Sequence, residues 1–178
     1  TKHTATKAEY IAIQTDQEWQ KYYKQLQSST VFAIDTETTS INPMEAELCG
    51  ISISLKSGHG VYIPTKCPEK HLSQTEVIES LRGVLEDDSI AKIGHNIKYD
   101  LVVFHNAGID VQGDLHDTLI AAWLIDASRS GYSMDAVALG TLGYECIPIK
   151  ELIGVGKSQI TFDKVPIEDA YPYAAEDV

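Results

Sequence analysis

The spacing of apolar positions changes several times along this chain, and each change marks an element. TDQEWQKYYKQLQ reads as a helix capped by Thr15 or Asp16, and VFAID, Val31 to Asp35, reads as a buried strand. ELCGISISLKSGHGVYIP reads as a hairpin. Its alternating Ile51, Ile53 and Leu55 suit a half-buried strand, with Ser57, Gly58, His59 and Gly60 as the turn before Val61 to Ile63. Ser73 followed three residues later by Glu76 is a capping box, ahead of an apolar helical face made of Val77, Ile78, Leu81, Val84 and Leu85. IAKIG is a short strand leading into the helix NIKYDLVVFHNAG, which Gly108 ends from a left-handed position. Helices are predicted over Thr118 to Asp126, Ser133 to Leu142, and Ile167 onward with Pro166 just ahead. Strands first, then a mixture, then helices predict an α/β or α+β arrangement with helices covering a mixed sheet. No repeat or low-complexity tract divides the 178 residues, so one domain is expected.

Composition narrows the setting. No apolar run approaches the length of a bilayer span, and the start TKHTATKAEY lacks the basic and apolar regions of a secretory signal. Cys49, Cys67 and Cys146 are scattered without close pairing and read as reduced cytoplasmic thiols. The net charge of −12 has the wrong sign for a free-standing nucleic-acid binder. Bound divalent cations would offset part of it, and a covalently attached basic domain could supply more positive charge.

The acids carry the candidate chemistry. Asp35 and Glu37 sit two apart at the end of a strand, so both carboxylates point to the same side. Asn96 and Asp100 are four apart on a predicted helix, as are Tyr173 and Asp177, so each pair should share a helical face. Carboxylates from three elements converging with a phenol would be a hard oxygen site, selecting Mg²⁺ or Mn²⁺ over zinc. Taken singly these residues have plainer readings: Asn96 as a cap, Asp100 as an exposed helix charge, Tyr173 as a core or surface aromatic. GVGK, Gly154 to Lys157, lacks Walker spacing and is read as a loop. His59, His71, His105 and His116 have no zinc-ligand spacing, and Lys98 is either a phosphate contact or a solvated lysine.

VFAIDTETTSI, IGHNIKYDLVVF, HDTLIAAWLID and YAAEDV occur in that order. Together they resemble the three motifs of the 3′-5′ proofreading exonuclease domain of family A DNA polymerases, the bacterial DNA polymerase I type, in the tyrosine-containing branch of the DEDD exonucleases. The resemblance runs from about Tyr10 to Val178. It implies an RNase H-like α/β fold, a mixed sheet flanked by helices, and two divalent metal ions. Asp35, Glu37 and Asp177 would hold one ion and Asp35 the second, with Asp100 acting through water, while Tyr173 and Glu37 would orient the attacking water. By motif position Thr38 and Ile41 would touch or wedge between terminal bases, and His95, Asn96 and Tyr99 would line the same groove. Ile149 stands where some relatives place a stacking phenylalanine, and Asp117 would support the site from behind.

The resemblance further implies a single-stranded or frayed DNA 3′ end as substrate and nucleoside 5′-monophosphates as products. It also implies a polymerase domain linked in the parent protein, with this chain a monomeric fragment that breaks off one residue past Asp177. A cytoplasmic, nucleoid-associated location and no membrane partner complete the expectation. Two alternatives stay open: an exonuclease-fold scaffold that does not cut, and an RNase of the same superfamily.

Overall fold

A computed structural model describes residues 8–178; the TKHTATK start read above for a secretory signal lies outside them. The elements in chain order are β1 (Glu9–Ala12), α1 (Asp16–Leu26), β2 (Val31–Thr38), β3 (Leu48–Lys56), β4 (His59–Pro64), α2 (Gln74–Leu85), β5 (Ala91–Gly94), α3 (Lys98–Asn106), β6 (Leu115–Asp117), α4 (Thr118–Ile125), α5 (Met134–Leu142), α6 (Ile149–Ile153) and α7 (Ile167–Glu176). The six strands form one mixed sheet in the order β1-β4-β3-β2-β5-β6. β2, β3 and β4 pair antiparallel, whereas β1 joins β4, β5 joins β2 and β6 joins β5 in parallel. The expected mixed sheet flanked by helices is present. Among the described residues no helix is long and apolar enough to cross a membrane.

Two cores sandwich this sheet. On one face, Trp19, Tyr22 and Leu26 of α1 and the predicted stripe Val77, Ile78, Leu81, Val84 and Leu85 of α2 meet Phe32, Ile34, Ile51, Ile53, Val61 and Ile63. On the other face Ala170, Ala174 and Ala175 of α7 pack with Tyr62, Cys49, Phe162 and Val165. Coverage on both faces corrects the reading of β3 as half-buried, since every residue from Leu48 to Ser54 is buried. The alternation seen in sequence pairs isoleucines facing one core with serines facing the other, and Ser52 and Ser54 are buried too.

Local signals were met in most places. Thr15 caps α1 in a full capping box with Glu18, and Gly108 follows α3 at φ +84. Ser73 occupies the N-cap position of α2, but its exposed side chain makes no capping hydrogen bond, so the box read there is not formed. The hairpin loop is only Ser57 and Gly58, because Lys56 pairs with His59. Asn96 corrects a further expectation. It lies before α3 at φ +62, so it shares no helical face with Asp100.

Candidate active site

β2 carries Asp35 and Glu37 on the face covered by α7, while the intervening Thr36 points the other way. The close approach of α7 follows from small residues. A Cβ placed on Gly60 would lie 2.0 Å from the carbonyl oxygen of Ala175, so the helix backbone rests directly on β4. That seating brings Asp177, the C-cap of α7, to β2. One carboxylate oxygen from each of Asp35, Glu37 and Asp177 lies within 4.8 Å of the others.

No cation of the described residues pairs with this trio, and Glu37 Oε1 is buried without a hydrogen-bond partner among them. Burial, with the charges of Asp100, Glu37 and Asp177, holds Asp35 well above the usual carboxylate range. Burial, then Asp177 and Asp100, does the same to Glu37. Asp177 is pushed up to about 7, first by burial and then by Glu176 and Asp135. Three mutually repelling, desolvated carboxylates with an orphaned oxygen are what a hard divalent cation would satisfy, so the donor set fits Mg²⁺ or Mn²⁺.

Asp100 lies outside this trio. Its Oδ1 accepts from the Thr36 backbone N–H at 3.0 Å and the Thr36 hydroxyl at 2.5 Å, tying α3 to β2 between the two motif acids. Burial raises it to about 6 even though the Thr36 bonds pull the other way. Thr36 escaped the sequence reading, although its place between Asp35 and Glu37 made it the strand position facing α3. Tyr173, on α7, packs its ring against Phe162 at 6.1 Å between centroids. Burial, then the charges of Glu37, Asp177 and Asp35, raises its phenol far above the ordinary value.

A groove of about 850 Å³ opens from Glu37 and Tyr173, with Thr38, Ile41, Asn96, Tyr99 and Ile149 on its walls. Ile41 is almost fully exposed at 98%. The Thr38 and Tyr99 hydroxyls meet at 2.5 Å, and Tyr99 also donates to the Ser40 carbonyl, which fixes the loop that carries Ile41. Gln159, Ile160 and Thr161 complete the far wall; no sequence signal singled them out. His95 is the exception among the candidate groove residues. Its Nε2 donates to the Tyr132 carbonyl at 2.8 Å and its Nδ1 meets the Thr118 hydroxyl at 2.9 Å, which turns the ring toward α4 and α5 and away from the groove. Asp117 acts as a cap: its Oδ1 accepts from the amides of Leu119, Ile120 and Asn96. Lys98 donates to Asn96 Oδ1.

The model of the 3′-5′ exonuclease family matches residues 10–178. This chain belongs to that family. The exonuclease domain is 37% identical over 163 residues to the DNA polymerase I of Pseudomonas aeruginosa, covering 88% of this chain and 18% of that protein. It is 38% identical over 157 residues to the DNA polymerase I of Chloroflexus aurantiacus, covering 85% of this chain and 16% of that protein. The domain thus spans less than a fifth of the length of these relatives. Among solved structures, Escherichia coli RNase D, an exoribonuclease involved in structured RNA processing, has a TM-score of 0.70 at 23% identity, over 96% of this chain and 41% of that one. Brucella melitensis NrnC bound to pGG has a TM-score of 0.68 at 23% identity, over 98% and 76%. These two share the RNase H-like fold.

Proposed function

We propose that this domain hydrolyses the 3′-terminal phosphodiester of single-stranded or frayed DNA in a divalent-metal-dependent reaction, releasing nucleoside 5′-monophosphates. The observation that carries the reading is the convergence of Asp35, Glu37 and Asp177 at the end of a groove whose mouth presents Ile41. Asp35, Glu37 and Asp177 would hold one Mg²⁺ or Mn²⁺, and Asp35 would share a second. Such ions lower the pKa of bound water and neutralise charge on the leaving oxygen.

The chain's own residues do the rest. Glu37 and Tyr173 both line the groove, where each would orient the attacking water by hydrogen bonding. Tyr173 stays a neutral phenol at physiological pH, and it therefore positions water without taking its proton. The water gives up a proton to solvent as its oxygen bonds to phosphorus, the P–O3′ bond breaks, and the departing O3′ takes a proton from solvent. Asp100 keeps β2 in place through Thr36. Ile41, projecting at the groove mouth, offers an apolar surface for an unstacked terminal base without reading sequence.

Relatives at 37 and 38% identity are DNA polymerases, which supports DNA rather than RNA as the substrate. In the parent protein a linked polymerase domain would supply much of the DNA affinity, in a cytoplasmic setting. The test is release of mononucleotides from a 3′-labelled single-stranded DNA with Mg²⁺ or Mn²⁺, beside a matched RNA. EDTA and the double variant Asp35→Ala, Asp177→Ala should abolish release. No release by well-folded wild type at low salt would instead favour a scaffold that does not cut.

A further inference from the structure

The far wall of the groove is lightly seated. Every side chain of α5 is at least partly exposed, so packing alone does little to fix the segment that leads from α5 into α6. α6 rests on the second core through Leu152 and Ile153, near its C-terminal end. Its N-terminal end, where Ile149 faces the groove, is reached through Ile147 and Pro148, and Pro148 at φ −74 leaves little freedom between them. Two hydrogen bonds hold this approach to α7, and both end on one side chain. The Tyr144 hydroxyl donates to Glu176 Oε1 at 2.5 Å, and the Ile147 backbone N–H donates to Glu176 Oε2 at 2.6 Å. Glu176 directly precedes Asp177.

We propose that Glu176 is a positioning residue: it latches the segment between α5 and α6 onto the end of α7, so that Ile149 closes the groove beside the acid cluster. Bidentate acceptance by one carboxylate sets two points of that segment at once, which a single bond would not do. The latch acts on how the substrate strand is gripped. It leaves the carboxylates of Asp35, Glu37 and Asp177 where the sheet and α7 put them. A glutamine keeps the shape of the latch, because its oxygen can accept from Ile147 while its amide donates to the Tyr144 oxygen. An alanine removes both bonds.

The grip on substrate rests on the exonuclease reading, so the experiment includes measurements that need no cleavage. In the 178-residue chain, Glu176→Ala, Glu176→Gln and Tyr144→Phe are compared for amide exchange at Ile147, for KM and kcat on a single-stranded oligonucleotide, and for affinity to the same labelled oligonucleotide in Ca²⁺. Glu176→Ala should speed exchange at Ile147 and raise KM and the dissociation constant about five- to tenfold, with kcat within about twofold. Glu176→Gln should restore wild-type values, and Tyr144→Phe, which tests the latch if the alanine variant misfolds, should move the same quantities less. Unchanged exchange at Ile147, unchanged affinity, or glutamine behaving like alanine would overturn the latch. So would a fall in kcat that tracks loss of Mn²⁺ affinity, since Glu176 would then act through Asp177. Absence of cleavage by wild type would sink the nuclease reading alone, because exchange and affinity still decide the latch.

Discussion

Asp177 shows what one carboxyl costs in a cluster of acids. Its pKa of about 7, and about 6 for Asp100, mean that each binds its proton more tightly in the fold than in the unfolded chain. Such groups favour the fold at low pH, and that contribution is lost as pH rises through the folded pKa. The metal-free protein should therefore lose stability between about pH 4 and pH 7, read as a falling Tm in EDTA, and Mn²⁺ should recover most of it above pH 7. Asp177→Asn should stabilise the metal-free protein on the order of 2 kcal/mol at pH 8 while abolishing mononucleotide release. A Tm that rises with pH across this window would contradict the placement of these acids. Tyr173→Phe makes a separate point. With the phenol neutral throughout, its loss should lower kcat roughly 10- to 100-fold and leave the shape of the pH profile unchanged.

Helices and strands differed in how plainly they could be read. The buried face of α2 was visible residue by residue because an amphipathic helix repeats one signal over three turns. β1 and β6 were not anticipated, since these short strands lie at the two edges of the sheet and bury no residue, so they leave no buried apolar face in the sequence. Asp35, Glu37 and Asp177 were legible as a set through motif order, whereas the hold of Thr36 on Asp100 and of Glu176 on Ile147 depends on tertiary contacts that no local pattern encodes. Asn96 was misplaced because its left-handed backbone, held by Asp117 through the Asn96 N–H, interrupts a segment whose composition is helical. α7 provides the test at this scale. Gly60→Ala should lift α7 from β4, lowering both Tm and Mn²⁺ affinity, because the added methyl meets the Ala175 carbonyl. Gly58→Ala, in a turn at φ +76 with open space around it, should cost about 1 kcal/mol of stability and leave Mn²⁺ affinity unchanged. Equal effects of the two on metal binding would mean that α7 is not seated by that contact.

The molecule as a whole carries a charge of −12 and an apolar outer surface on α4, where Trp123, Leu124 and Ile125 are 51, 71 and 85% exposed. Its affinity for a polyanion must come from few ionic contacts, so the 178-residue chain should bind single-stranded DNA weakly, and mononucleotide release should fall only about threefold per phosphate contact as salt rises from about 50 to 200 mM. Activity indifferent to salt in that range would point to a grip dominated by stacking. The acid cluster has a further consequence, in the order of folding. Asp35 lies on the second strand and Asp177 at the end of the last helix, with β3 to α6 between them in the chain. Contacts between such distant segments form late. A nascent chain still on the ribosome therefore holds two of the three acids, Asp35 and Glu37, until α7 emerges with Asp177, so on the proposed function mononucleotide release would wait for the last helix to be made.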